Sequence, residues 1–160
     1  MKGTVIYHSP VGELAISFED GAVTALQRAT EPVTVSAATD LTAEVFRQLD
    51  EYFAGMRRDF DFPIRLHGTP FQEKVWAALR TIPYGETRSY GDIAAAIGKP
   101  KACRAVGMAN HRNPICIVVP CHRVIGAGGA LVGYGGGLDM KKGLLELERK
   151  NAGSPIDSRP

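Results

Sequence analysis

The sequence predicts a mixed α/β fold of the α+β kind: a small N-terminal antiparallel sheet with a helix, then a mainly helical part containing a helix-turn-helix. Strand-like alternation over the first 28 residues, helical spacing after it, and a helix-capping signal at Thr69 predict this order. With 160 residues, of which 44% are hydrophobic, the chain can form one domain or two small ones. We expect an N-terminal scaffold domain over 1–68, a second domain over 69–152, and a disordered tail over 153–160.

The N-terminal strands are predicted from alternating apolar and polar positions across residues 4–28. Two turn signals, Ser9-Pro10-Val11-Gly12 and Glu19-Asp20-Gly21, divide this segment into three short antiparallel strands. Helical spacing of apolar residues predicts a helix over 41–53. Residues 59–66 could add one more strand.

The second half opens on a capping box. Thr69 is the N-cap, Pro70 takes the first helical position, and Gln72 follows three residues after the threonine. Further along, Ser89 can cap the next helix.

Two short helices, over 90–97 and about 101–109, are separated by Gly98-Lys99-Pro100 and have the outline of a helix-turn-helix. The second helix would display basic and small residues, which are Lys101, Ala102, Arg104 and Ala105. It is short of polar side chains that read base edges, so we expect contact with the DNA backbone or the minor groove. An ordinary helical hairpin with solvated basic residues is the alternative.

A thiol, an imidazole and a guanidinium follow one another at Cys121, His122 and Arg123. The apolar run 115–119 predicts a buried strand that ends at Pro120, which cannot extend a sheet ladder. A nucleophilic cysteine needs a lowered pKa and a nearby base, and positive neighbours favour both. Because adjacent side chains on regular backbone point apart, we expect His122 to act through a relay water or a sharp turn. A structural cysteine beside a surface histidine is the alternative.

A final helix is predicted over 139–149, where Glu148 lies at the edge of an apolar stripe. There it could orient a histidine as the third member of a relay, or it could be a solvated helix residue. The preceding Gly133-Tyr134-Gly135-Gly136-Gly137 permits close backbone approach to a flat ligand, or forms a surface loop.

Charge is divided unevenly along the chain. Residues 1–68 contain 6 Lys and Arg against 10 Asp and Glu, a net charge of −4. Residues 69–160 contain 13 against 7, a net charge of +6. The basic half also holds Cys121 and His122, so we expect a polyanionic partner for it.

Cysteine usage predicts a reducing compartment, the cytoplasm, because the chain has three cysteines and no signal-peptide pattern. No apolar stretch approaches the roughly 20 residues that cross a bilayer, so no membrane partner is expected. Cys116, Cys121 and His122 have poor spacing for zinc, and we expect no metal site.

Five ordered blocks in the second half resemble the O6-alkylguanine-DNA alkyltransferases, the methylated-DNA–protein-cysteine methyltransferases. The blocks are Ile82-Pro83-Tyr84-Gly85-Glu86-Thr87, Arg104-Ala105-Val106-Gly107, Asn110 with Asn113-Pro114, Pro120-Cys121-His122-Arg123-Val124-Ile125, and Gly133-Tyr134-Gly135-Gly136-Gly137. The match covers 69–150, and the first 68 residues resemble the family only in general pattern. Cys103 and Cys116 are extra thiols relative to that pattern.

The resemblance implies DNA repair by irreversible transfer of an alkyl group from O6 of guanine to the protein's own cysteine, one event per molecule. It could extend to O4 of thymine, and it needs no cofactor. Cys121 would be the nucleophile, His122 the water-linked base and Glu148 its carboxylate partner. Asn113 would brace the turn around the active site. Tyr90 would contact a phosphate and donate a proton towards guanine N3.

The same resemblance implies how DNA is held. Arg104 would enter the base stack when the damaged nucleotide is flipped out, beside Lys101, Ala102 and Ala105. The guanine pocket would be lined by Val124, Tyr134, Gly135 and Lys141. The partner would be double-stranded DNA, bound through its minor groove with little sequence preference. We expect a monomer that could assemble cooperatively on DNA.

Two other functions fit parts of this pattern. A cysteine hydrolase could use Cys121, His122 and Glu148, but it needs an oxyanion hole and a base that contacts the sulfur directly. A non-catalytic DNA-binding module would carry the cysteine incidentally.

Overall fold

The N-terminal sheet is three-stranded and antiparallel. The computed structural model describes residues 1–131 and 137–153. The strands are β1 (Lys2–Ser9), β2 (Gly12–Glu19) and β3 (Ala22–Arg28), in spatial order β1-β2-β3. The predicted sheet is therefore confirmed, with both predicted turns at its hairpins.

Helix α1 (Asp40–Phe53) packs on this sheet and confirms the predicted helix. Thr39 caps it, and its side chain accepts a hydrogen bond from the Thr42 amide at 3.1 Å. Val45, Leu49 and Tyr52 recur at helical spacing and are fully buried. The helix thus has one apolar face that closes the core of the sheet.

The fourth strand expected over 59–66 is wrong as an element. Only Ile64 forms a parallel bridge, with Val23, flanked by hydrogen bonds from Val23 N to Pro63 O and from Arg65 N to Val23 O, both 2.9 Å. Proline at 63 has no amide hydrogen to donate, which limits this segment to a single bridge.

Within the described ranges, the second half contains four α-helices and a small parallel pair of strands. They are α2 (Pro70–Leu79), β4 (Arg88–Ser89), α3 (Tyr90–Ala96), α4 (Cys103–His111), β5 (Val124–Ile125) and α5 (Leu138–Ala152), with β4 pairing to β5. The capping box expected at Thr69 is present, and Ser89 caps α3 as expected, where Asp92 completes a second capping box. Helices α3 and α4 pack together across a short connection, as the predicted helix-turn-helix requires.

The strand expected over 115–119 is wrong. Ile115 makes one bridge to Leu26, and the chain then turns, with Ile117 at a φ of 72°. The Asn113 side chain fixes this turn, because its Nδ2 donates to Val119 O at 2.8 Å and its Oδ1 accepts from Ile115 N at 3.0 Å. The run is apolar because the turn is buried, so composition alone could not distinguish it from a strand.

The two halves share one core. Leu26 in β3 accepts a hydrogen bond from Cys116 N and donates to Pro114 O, each 2.8 Å, so the sheet holds the turn that precedes Cys121. Within the second half, the Trp76 indole donates to Ala109 O at 2.9 Å and ties α2 to α4.

None of the helices within the described ranges combines the length and apolar character that crossing a membrane demands. The expected disordered tail, apart from Gly153, lies outside the described residues. So do Tyr134 and Gly135, two of the residues expected to line the guanine pocket.

Candidate active site

Cys121 begins a single turn of 3-10 helix, Cys121–Arg123, so the backbone bends immediately after the thiol. The residue is 3% exposed. Its amide donates to Val119 O at 2.7 Å, and the Asn110 side chain donates to its carbonyl at 3.3 Å. The backbone therefore turns sharply between Cys121 and His122, which is one of the two arrangements expected there.

His122 and Glu148 form a buried pair. The His122 Nε2 and Glu148 Oε2 atoms lie 2.7 Å apart, and both side chains are sealed from solvent. Nε2 therefore carries the proton donated to the carboxylate, which leaves the Nδ1 lone pair as a proton acceptor. Within the described part of the chain, this buried Nδ1 has no hydrogen-bond partner. Burial lowers the pKa of His122 more than Glu148 raises it, so the ring is neutral at neutral pH.

Arg123 also binds the carboxylate of Glu148. Its Nε donates to Glu148 Oε1 at 2.7 Å and its Nη2 to Oε2 at 3.0 Å, while Nη1 donates to Ile82 O at 2.7 Å. Burial alone would raise the pKa of Glu148, but His122 and Arg123 together hold it well below its usual range. Glu148 is thus an ionised, oriented acceptor and not a solvated helix residue.

The sequence interpretation missed two of these groups. Arg123 was noted only as a positive neighbour, although an arginine in an apolar segment signals a carboxylate partner. Tyr52 on α1 donates from its hydroxyl to Glu148 Oε2 at 2.5 Å, across 96 residues of chain. Tyr52 follows the apolar period of its helix, so the sequence contained no signal of this contact.

Tyr90 and Asn113 both lie close to the segment that carries Cys121. Tyr90 starts α3, and burial raises its pKa, as does the nearby Cys121, while a hydrogen bond with Asn110 opposes the shift. The phenol therefore stays protonated and can donate. Asn113 braces the turn before Cys121 through its two hydrogen bonds to that turn.

Lys141 lies near Cys121 and is hydrogen-bonded to Val124. The Lys141 Nζ donates to Val124 O at 2.6 Å, and the lysine side chain is fully buried. Burial lowers the pKa of Lys141, and negative charge on Cys121 opposes that shift. A buried cation close to a thiol stabilises its thiolate form.

Helix α4, which starts at Cys103 and not at about 101 as expected, forms a basic surface together with the two residues before it. Lys101, Arg104 and Ala105 are exposed, and Ala102 is half-buried next to them. At Gly107 a Cβ atom would lie 3.8 Å from the Tyr90 ring, so α4 and the start of α3 meet closely. His111 and Arg112 continue the exposed surface at the end of the helix.

The chain has two further cysteines besides Cys121. Cys103 is exposed on α4 and Cys116 is buried in the turn before Cys121. Across residues 1–131 and 137–153, no three His, Cys, Asp or Glu side chains come together in a way that could hold a metal ion.

Comparisons with known proteins cover nearly the whole chain. The model of the 6-O-methylguanine DNA methyltransferase DNA-binding domain matches residues 70–150, and that of the ribonuclease-like domain of the same protein matches residues 4–66. A methylated-DNA–protein-cysteine methyltransferase of Mycobacterium leprae is 53% identical over 146 residues, covering 88% of each chain.

Two solved structures have the same architecture. A crystal structure of Mycobacterium tuberculosis O6-methylguanine methyltransferase superposes with a TM-score of 0.88 at 46% identity, covering 98% of each chain. Mycobacterium tuberculosis OGT in complex with DNA superposes with a TM-score of 0.84 at 49% identity, covering 92% of this chain and 93% of that one. With these identities and both domain matches, the chain belongs to the 6-O-methylguanine DNA methyltransferase family.

Proposed function

We propose that this protein repairs DNA by moving the alkyl group from O6 of guanine onto Cys121, irreversibly and once per molecule. The observation that carries the proposal is the sealed His122–Glu148 pair directly after Cys121, in a chain of this family. The protein is thus a methylated-DNA–[protein]-cysteine S-methyltransferase, and DNA is its partner.

Activation of the thiol begins at His122 Nδ1. This nitrogen is buried beside the thiol-bearing turn and has its lone pair free within the described residues. A water molecule bridging it to Cys121 would satisfy the nitrogen and carry the thiol proton to the ring. Glu148 would stabilise the resulting imidazolium, and Lys141 would stabilise the thiolate.

The transfer is an in-line displacement at the alkyl carbon. A bond forms between Sγ of Cys121 and the carbon while the bond from carbon to O6 breaks. Guanine leaves poorly as an anion, so Tyr90 would donate a proton towards N3 as O6 departs. The products are unmodified guanine and an S-alkylcysteine; the proton that His122 took from the thiol replaces the one that Tyr90 gave, so the step balances without a cofactor. Since water does not displace a thioether readily, the protein is consumed.

Access to O6 requires the nucleotide to leave the duplex, which costs a few kcal/mol. Arg104 on the exposed face of α4 would fill the gap in the stack and offset this cost. Lys101 would contact phosphate, and the small Ala102 and Ala105 would allow close approach along the minor groove with little sequence preference.

We assign DNA binding and chemistry to 69–152 and a scaffold role to 1–68. A monomer suffices for this chemistry, with any cooperative assembly arising on DNA. Val124 and Lys141 belong to the proposed guanine pocket, together with Tyr134 and Gly135. The cytoplasmic location stays a prediction from cysteine usage.

A titration of lesion-bearing duplex tests the proposal. The amount of O6-methylguanine lost from the DNA should rise linearly with added protein and stop at one lesion per chain. Continued turnover, or release of the free base from DNA, would contradict a self-consuming transfer.

A further inference from the structure

We propose that Tyr52 is a positioning residue for alkyl transfer: its hydroxyl holds the Glu148 carboxylate against His122, so the N-terminal helix helps to activate Cys121. The inference rests on the proposed function and adds a residue from the scaffold half to its relay.

Tyr52 reaches the relay from outside the alkyltransfer half. It lies on α1, and its Oη is 2.5 Å from Glu148 Oε2, the same oxygen that faces His122 Nε2 at 2.7 Å. Arg123 Nη2 donates to this oxygen as well, at 3.0 Å. One carboxylate oxygen therefore accepts from three side chains, of which Tyr52 alone belongs to residues 1–68.

The tyrosine can act only as a donor here. It is fully buried. Burial raises its pKa well above the usual value, and the negative Glu148 raises it further, so the phenol stays protonated. A carboxylate that accepts a hydrogen bond from each side cannot rotate freely, and its charge is shared among the donors. Glu148 is therefore held as a weak base that orients the imidazole without removing its proton.

The ring of Tyr52 is itself fixed by aromatic neighbours. Its centroid lies 5.2 Å from that of Phe53, 5.4 Å from that of Phe60 and 6.3 Å from that of Tyr84. The contacts with Phe53 and Tyr84 are edge-on, the geometry that aromatic pairs prefer. The hydroxyl is thus aimed by packing, and removing it leaves the ring in place.

Every charged or titratable group around the pair bears on its protonation. Within the described residues, the groups facing His122 and Glu148 are Tyr52 on α1, Tyr84 on the turn after α2, Cys121 and Arg123 on the 3-10 turn, and Lys141 on α5. Arg123 and Lys141 disfavour a charged imidazole, whereas Glu148 favours it. Loss of the Tyr52 hydroxyl leaves more negative charge on Glu148 and therefore raises the pKa of His122.

The test compares Tyr52→Phe with Tyr7→Phe. Tyr7 provides the matched control, because its hydroxyl donates to Asp50 at 2.6 Å in the same half of the chain, outside the relay. Labelling of Cys121 by iodoacetamide, followed by peptide mass as a function of pH, reports thiol activation without DNA. Methyl transfer from duplex DNA is measured alongside it.

For Tyr52→Phe we expect slower methyl transfer at neutral pH, by roughly three- to tenfold, because Glu148 is no longer held in one orientation against the imidazole, and this loss outweighs the gain from a more negative carboxylate. At acid pH the labelling rate falls because His122 becomes protonated. Since the pKa of His122 is raised, the midpoint of this fall should move to higher pH. Tyr7→Phe should leave both profiles unchanged. Site-specific difluorotyrosine at position 52 retains the ring and strengthens the donor, so it should move the midpoint the opposite way.

Identical profiles for the native protein, Tyr52→Phe and the difluorotyrosine protein would overturn the inference, as would an equal shift in Tyr7→Phe. If Tyr52→Phe does not fold, the difluorotyrosine protein provides the test. An unchanged midpoint of its labelling profile would reject the positioning role of Tyr52. Failure of the native protein to accept a methyl group from DNA would reject the proposed function. In that case the pH profile of iodoacetamide labelling would still show whether Tyr52 positions Glu148.

Discussion

Glu148 Oε2 and His122 Nε2 lie 2.7 Å apart, although 26 residues separate them, and neither side chain is exposed to solvent. The imidazole belongs to the 3-10 turn at Cys121–Arg123, and the carboxylate belongs to helix α5. Arg123 keeps the carboxylate ionised while burial keeps the imidazole neutral. The Nδ1 atom of His122 can therefore accept the proton of the Cys121 thiol.

Replacing the nucleophile should separate chemistry from binding. Cys121→Ala should abolish methyl transfer while DNA affinity, measured by fluorescence anisotropy, stays unchanged, because the thiol is buried and the exposed residues of α4 are left as they are. Cys103→Ala, at an exposed cysteine on α4, is the control and should transfer normally. Residual transfer by Cys121→Ala would assign the nucleophile to Cys103 or Cys116.

Arg104 should matter only when a base must leave the stack. Arg104→Ala should slow repair of duplex DNA by about ten- to hundredfold, since extrusion costs a few kcal/mol, and should hardly affect reaction with free O6-benzylguanine. Arg80→Ala, an exposed arginine outside α4, serves as the control and should leave both rates unchanged. An equal loss on both substrates would remove the flipping role from Arg104.

Removing the charge of Glu148 should weaken the relay. Glu148→Gln should slow alkylation and raise the pKa of the Cys121 thiol, because the imidazolium formed by proton transfer loses its anionic partner. Stopped-flow labelling across pH measures both quantities. An unchanged pH–rate profile would exclude Glu148 from the relay.

The same substitution should change how stability depends on pH. Because the folded-state pKa of Glu148 lies below its unfolded value, its contribution is fully present above about pH 4.3 and is lost as pH falls through the folded value. At neutral pH, Glu148→Gln should cost about 3–5 kcal/mol, since Arg123 is left buried without its anion. In urea unfolding, the gap between native protein and variant should shrink in acid. A gap that is the same at every pH contradicts an ionised Glu148.

Two glycines with similar backbone angles offer a packing test. Gly85 has a φ of 81° and a Cβ there would lie 2.5 Å from the Ala152 Cβ, whereas Gly98 has a φ of 78° and open space around it. Gly98→Ala should cost about 1–2 kcal/mol for the left-handed conformation. Gly85→Ala should cost about 1–3 kcal/mol more, from the added clash. Equal urea midpoints for the two variants would show that the end of α5 at Ala152 can move aside without a measurable loss of stability.

Elements with local signals were predictable from the sequence. The capping box at Thr69 and the N-cap at Ser89 were predictable because the side chains that supply the missing hydrogen bonds lie within three residues, and both helices start there. The pattern of residues around Cys121 was equally local.

Contacts between distant segments were not predictable in this way. The strand expected over 115–119 is a turn because the Asn113 side chain replaces the sheet hydrogen bonds, which composition does not reveal. The Tyr52 contact depends on how α1 packs against α5, and a tyrosine on an apolar face looks like any core residue. Long-range pairing of this kind required the tertiary structure.

The most direct measurement is the intact mass of the protein after incubation with excess duplex containing O6-methylguanine, beside an undamaged duplex. The account predicts one added methyl group per molecule, on the peptide that contains Cys121, and none from undamaged DNA or with Cys121→Ser. A protein that stays unmodified, or a methyl group on another residue, would contradict it.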